Sequence, residues 1–148
     1  MYRHILIATD GSELADKGVT QGANLANELG AKVTLVTVTE EWSPVAMAQQ
    51  VERGVQNALE IFEQAAAKEA AAVLDHASVT VDGQGVPFET LHIAGQHPAE
   101  GILEAAKDVG CDLIVMASHG RRGIRRVLLG SQAAEVLAHT HVPVLIIR

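Results

Sequence analysis

Gly120, Gly130 and Ser131 are the residues of this chain whose types and spacing could hold an anion. They sit in the stretch Leu113–Ser131, LIVMASHGRRGIRRVLLGS. The apolar run Leu113-Ile-Val-Met-Ala117 has the length and β-branched content of a strand covered on both faces. It leads into Ser118-His-Gly120, with Gly123 close behind, and nine residues separate Gly120 from Gly130-Ser131. That pair opens the helix expected over 132–139. A strand, a glycine-bearing loop and a helix N-terminus headed by Ser form an anion site: amides point into the loop, the helix dipole favours negative charge, and glycine lets a ligand approach. Glycines also end strands merely by turning, so both readings stand on chemistry alone. Asp10 has the same duality. It lies at the carboxyl end of a strand, where open α/β sheets bind ligands, yet Asp-Gly is ordinary turn chemistry.

Charge sharpens the picture. The chain carries 11 Lys and Arg against 18 Asp and Glu, a net −7, which argues against general nucleic-acid binding. Arg121, Arg122, Arg125 and Arg126 nevertheless crowd the glycine loop. They read either as a solvated loop or as a positive spot in which one or two arginines face a polyphosphate tail. The seven histidines are scattered; only His139 and His141 are close, at poor spacing for shared ligation, so no metal site is expected. No His or carboxylate is spaced to activate Ser118 or Ser131, so no catalytic residue is expected either. There is no Gly-Lys-Ser/Thr, and Gly83-Gln-Gly85 has Phe88 where a dinucleotide fingerprint needs its third glycine.

The elements that must position these residues alternate. His4–Thr9 reads as strand one, and Ser12 caps a helix over 13–29 that Gly30 ends. Gly18 and Gly22 inside that helix suggest close packing on the sheet. Strand two covers 32–38, an irregular loop with Trp42 and Pro44 covers 39–49, and a long helix runs from Gln50 to about His76. Residues 77–85 read as a connection, 87–93 as strand three, and Pro98 starts a helix through Val109. Strand four is 113–117 and strand five 142–147. The pattern is α/β: an open parallel five-stranded sheet with helices on both faces. At 148 residues, 48% apolar and 3% aromatic, this is one domain, 1–148, with an aliphatic core. No apolar run approaches the roughly 18 residues that span a bilayer. The lone Cys111 and a first strand that leaves no room for a signal peptide fit the cytoplasm.

The whole chain resembles a single-domain universal stress protein. The family's nucleotide signature is Gly, two residues, Gly, nine residues, then Gly-Ser or Gly-Thr; here it reads Ala117-Ser-His-Gly120, nine residues, Gly130-Ser131, with Ala117 replacing the first glycine. The resemblance implies a Rossmann-like sheet of order 3-2-1-4-5, which puts Asp10 and the Gly120 loop at one crevice. It implies bound ATP with Mg, little or no turnover and at most slow hydrolysis. Adenine would lie against the strand-two backbone at Val38, the adenosine portion beside Asp10, and the phosphates near His119. The full implied contact set is Ala8, Thr9, Asp10, Val38, Ala117, Ser118, His119, Gly120, Arg121, Arg122, Gly123, Gly130, Ser131 and Gln132. A homodimer through the C-terminal strand is also implied, and the edge strand supports it: Val144–Ile147 would expose an apolar row with unpaired backbone groups. Two other classes compete. A nucleotide-free, partner-binding stress protein is favoured by Ala117. An adenylating or ATP-hydrolysing enzyme would show more glycine after strand one than Asp10-Gly-Ser12.

Overall fold

His4-Ile-Leu-Ile-Ala8 is buried at all five positions, the mark of a strand covered on both faces. In the computed structural model, which describes residues 1–121 and 129–148, this strand (β1, His4–Ala8) lies at the centre of the sheet. The chain continues through α1 (Glu13–Leu29), β2 (Lys32–Thr39), α2 (Pro44–Glu52), α3 (Ala58–Gly83), β3 (Phe88–Ala94), α4 (Pro98–Val109), β4 (Leu113–Ala117), α5 (Ser131–His139) and β5 (Val144–Ile147). The strands are parallel in the order β3-β2-β1-β4-β5, as expected.

Alternation along the strands divides the core into two layers. Ile5, Ile7, Val33, Leu35, Leu113 and Val115 face α1 and α3, packing on Val19, Ala23, Leu74 and Val81. Leu6, Val36, Ile114 and Met116 face α4 and α5, packing on Ile102, Ala105 and Val136. Each fully buried aliphatic side chain contributes about 1.5–3 kcal/mol, so the two faces together pin the register.

Helix α1 is capped as its sequence indicates. The Ser12 hydroxyl accepts from the Ala15 amide at 3.2 Å, and Gly30 takes the left-handed conformation at φ +64°. Gly22 is required by packing: a Cβ there would lie 2.6 Å from Ile7 Cδ1. Gly101 on α4 plays the same part against Val38, at 2.7 Å.

The stretch after β2 departs from expectation. The irregular loop over 39–49 contains the start of α2, which Ser43 caps by accepting from the Ala46 amide with Pro44 in the first turn. The single long helix is two helices, broken where Gly54 (φ +74°) and Asn57 (φ +58°) turn left-handed. Val55, Ala58 and Leu59 continue the apolar spacing across the break and conceal it. Helix α3 also runs seven residues beyond His76, to Gly83. Ala77 and Val81 extend the buried stripe of Ala70 and Leu74, and that burial overrides the weak helix propensity of Ser78-Val-Thr-Val81. Strand three starts at Phe88 and strand five at Val144, each one to two residues later than read.

At the opposite rim from the strands' carboxyl ends, Asp112 accepts from the amides of Arg3 and His4 at 2.9–3.2 Å. The His4 ring is buried, with Nε2 2.8 Å from Thr34 Oγ1; burial first, then Lys32, hold its pKa below the usual value. Cys111 is buried, and burial pushes its thiol pKa up, as suits an inert core residue.

Candidate functional site

The order of the sheet reverses between β1 and β4, and the crevice outside their carboxyl ends is where an α/β sheet takes a ligand. Asp10 leaves β1 there and joins both walls. Its Oδ1 accepts from the Ser12 amide and its Oδ2 from the Arg121 amide, each at 2.9 Å. Burial works against its ionisation, but the hydrogen bonds from Ser12 and from the Arg121 amide outweigh it and hold the carboxyl below the ordinary aspartate range. Gly120 permits this contact, because a Cβ at that position would strike Asp10 Oδ2. Behind Asp10, Ala8 and Thr9 are buried; the Thr9 amide donates to the Val36 carbonyl at 2.9 Å, and Thr9 Oγ1 accepts from the Gly11 amide at 3.2 Å.

The second wall is the turn from β4 into α5. Buried Ser118 is the knot: its amide donates to the Ile147 carbonyl at 2.8 Å and its carbonyl accepts from the Gly130 amide at 2.6 Å. Gly130 is the N-cap of α5 and its backbone presses on that turn, so a Cβ would lie 2.8 Å from the Ser118 carbonyl oxygen. The helix expected over 132–139 thus begins one residue earlier, at Ser131. Ser131 is exposed and already in the first helical turn, and no side chain caps α5. The first intrahelical bond runs from the Ala134 amide to the Gly130 carbonyl, so the amides of Ser131, Gln132 and Ala133 precede the ladder and carry the positive end of the dipole. Gln132 is already half-committed, since its Oε1 accepts from the Ala99 amide at 2.9 Å and ties α5 to the start of α4.

Val38 lies beyond the other side of Asp10. Backbone groups in a parallel ladder alternate in direction from residue to residue. The Val36 carbonyl accepts from Thr9 on β1, while the Thr39 carbonyl accepts from Gly95 beyond β3. The Val38 amide and carbonyl therefore point toward β1, past the place where β1 has ended. The Val38 side chain packs on α4 at Gly101. Trp42 stacks face to face on Phe62, ring centroids 5.0 Å apart, which fixes the loop after β2 against α3.

The remaining expected residues fall as follows. Ala117 is half-buried and pairs with Ile147; strand alternation puts its methyl on the α1 side, where its amide lies 4.0 Å from the Cβ position of Gly18. His119 is half-buried beside the Gly120 carbonyl, 3.4 Å from Nδ1. Arg121 is exposed, and its guanidinium donates to Glu69 Oε1 on α3 at 2.8 Å. Arg122, Gly123, Arg125 and Arg126 lie outside the described residues. Glu69 belongs to the site's surroundings without having been expected there, because one exposed carboxylate on a long helix carries no sequence signal. Among the described residues no group of three His, Cys, Asp or Glu side chains could hold a metal ion. No described helix is long and apolar enough to cross a membrane.

Comparison with known proteins adds to this geometry. Residues 1–148 match the sequence model of the universal stress protein family. The chain is similar to a universal stress protein of Bacillus subtilis, 30% identical over 152 residues and covering all of both chains. It is also 30% identical over 148 residues to one from Methanocaldococcus jannaschii, spanning all of this chain and 83% of that one. UspA from Lactobacillus plantarum has a similar structure, with a TM-score of 0.81 at 25% identity over 99% of this chain and 98% of that one. Two further structures share the fold at 24% identity. One is a universal stress protein in complex with cAMP (TM-score 0.70, 99% and 97% covered), the other one from Archaeoglobus fulgidus in complex with dAMP (TM-score 0.68, 99% and 98% covered).

Proposed function

The chain belongs to the universal stress protein family, and we propose that it is a regulatory protein that holds ATP, with Mg, in the crevice between β1 and β4 and turns it over slowly or not at all. One observation carries this reading. Three kinds of group stand in sequence along one rim of the sheet: the backbone of Val38 on β2, the Asp10 carboxylate after β1, and, beyond β4, the first-turn amides of α5, which have no partner among the described residues. A base edge, a ribose hydroxyl and a phosphate need those three groups in that order. At the level of the fold, the cAMP and dAMP complexes support an adenine nucleotide as the ligand.

In this reading Val38 gives an amide and a carbonyl to the adenine edge, while Ala8 and Thr9 support the floor beside it. Asp10 accepts from a ribose hydroxyl through lone pairs left over from its two amide bonds. Gly130, its own amide bonded to Ser118, brings the amides of Ser131 and Gln132 to the phosphates, and Ser118, His119 and Gly120 line the turn opposite. The family resemblance adds Arg121 to the phosphate end, together with Arg122 and Gly123, which lie outside the described residues. The Ala117 methyl, directed toward α1, stays clear of the α5 amides, so Ala117→Gly binds as the parent does or better. Hydrolysis would need a base held against a water molecule, and the reading assigns that role to no residue.

Calorimetry and thermal unfolding with MgATP and AMP test it. Binding of both nucleotides is expected, with Arg121→Ala weakening ATP about ten- to a hundredfold and AMP far less if its guanidinium reaches the β- or γ-phosphate. No heat and no stabilisation at millimolar nucleotide, in the parent and in Ala117→Gly alike, would falsify the reading.

We further infer a cytoplasmic, single-domain homodimer joined through β5. That strand ends the sheet order, and Leu145 is 37% exposed on it. Leu145→Lys should shift the sedimentation of a dimer to that of a folded monomer; an unchanged dimer would place the interface elsewhere.

A further inference from the structure

Arg121 makes two hydrogen bonds and lies over a glycine. Its backbone amide is fixed to Asp10, its Nη1 donates to Glu69 Oε1 at 2.8 Å, and its Nη2 lies 2.9 Å from the Cβ position of Gly11. Val73, one turn after Glu69 on α3, packs at the same glycine, 3.0 Å from that position. The guanidinium is thus laid across the β1–α1 turn toward α3. Helices α3 and α5 cover opposite faces of the sheet, so this pose aims the positive charge away from the first turn of α5.

We propose that Glu69 is an internal rival of the ligand's phosphates for Arg121, so that the Glu69–Arg121 pair sets how strongly the crevice prefers a nucleoside polyphosphate to a monophosphate. This rests on the nucleotide reading above. The backbone of Arg121 is pinned to Asp10, whereas its side chain and that of Glu69 are 52% and 61% exposed. Exposed pairs of this kind are weak and screened by solvent, which suits a contact made to be exchanged rather than a strut. The Nη1–H that meets Glu69 is lost to a phosphate oxygen, and the guanidinium cannot lie against α3 and reach toward α5 on the opposite face at the same moment. A β- or γ-phosphate therefore draws Arg121 off Glu69, whereas a ligand ending at its α-phosphate leaves the pair closed. Glu69 touches no ligand in this scheme; it acts through Arg121.

The test is calorimetry on the full chain with MgATP and with AMP, using the parent, Glu69→Gln, Arg121→Ala and the double variant. Removing an exposed rival corresponds to a factor of about two to five. Glu69→Gln is expected to tighten ATP by that factor, leave AMP unchanged and leave the unfolding temperature close to that of the parent. On the Arg121→Ala background the same substitution should bring no gain, which separates release of the arginine from the general loss of one negative charge. Weaker ATP binding by Glu69→Gln would overturn the proposal, since Glu69 would then be positioning Arg121 for the ligand. Equal gains for ATP and AMP, or a gain that survives Arg121→Ala, overturn it too while leaving nucleotide binding itself intact. Silence of all four proteins toward both nucleotides removes the nucleotide reading and the rivalry together.

Discussion

The two walls of the crevice are built on opposite plans. The β1–α1 wall is tied down by side chains: Asp10 accepts from the Ser12 amide on its own wall and from the Arg121 amide on the other, and Ser12 caps α1 through its hydroxyl. The β4–α5 wall is tied by backbone, at its base, where Ser118 links Ile147 to Gly130. Above that knot, α5 starts without a side-chain cap, and the amides of Ser131, Gln132 and Ala133 precede its hydrogen-bond ladder. One wall is a brace and the other an electrostatic surface. The difference teaches that residues of similar appearance in a motif divide between holding the site together and leaving it open.

Gly130 gives the largest effect by which the comparison can be broken. A valine there would drive its Cβ to 2.8 Å from the Ser118 carbonyl, a backbone atom that cannot step aside. Overpacking of this sort costs about 1–3 kcal/mol, or roughly 3–10 °C in a chain of this size. Gly130→Val should therefore lose both nucleotide binding and stability, read by calorimetry and thermal unfolding. A variant that loses binding at full stability would mean that Gly130 makes room for the ligand and not for Ser118.

That outcome also bears on what the sequence disclosed. The spacing of Gly120 and Gly130, the Ser12 cap, the Gly30 stop and the alternation of strands and helices were all legible, because each rests on local rules of turn geometry and periodicity. The order of strands came only from resemblance, since periodicity says nothing of which strand lies beside which. The reason for each glycine was hidden. Gly120 and Gly130 suggest space for a ligand, yet the space beside each is filled by protein, Asp10 at one and the Ser118 carbonyl at the other. The break between α2 and α3 was masked by an apolar stripe that keeps its phase through Gly54 and Asn57. Glu69 reaches Arg121 across 52 residues of chain, and no pattern within either helix or loop reports such a contact.

Asp10 provides an effect of intermediate size that sharpens the contrast, through pH. Its carboxyl is ionised more readily in the folded chain than in the unfolded one, so the folded state binds fewer protons near pH 4 and below. The stability it contributes is complete above the ordinary aspartate pKa and drains away as pH falls through the lower folded value. Asp10→Asn should cost about 1–2 kcal/mol at neutral pH, because one of two donors loses its charged acceptor. It should also flatten the acid limb of the stability curve. Asp112 has the same sign: burial opposes ionisation, but the amides of Arg3 and His4 outweigh it. Asp112→Asn should likewise flatten the limb, but from the far rim of the sheet and with nucleotide affinity untouched. Equal losses of affinity in the two variants would show that Asp10 acts on stability alone.

Ser131 gives the smallest effect and the cleanest separation of the two plans. Were it a cap, its removal would cost about 1 kcal/mol. The structure gives the N-cap to Gly130, in an extended conformation at φ −70° and ψ 160°, and leaves the Ser131 hydroxyl exposed on the first turn. Alanine is also the better helix former there. Ser131→Ala should accordingly unfold within about 0.5 kcal/mol of the parent, on either side of it. Its affinity for ATP should fall by up to about tenfold, the worth of one hydroxyl hydrogen bond. A stability loss near 1 kcal/mol would return the cap to Ser131 and make the second wall a brace like the first. If affinity and stability both stay constant, the grip belongs to the backbone amides alone, and the only part of Ser131 that the site uses is its N–H.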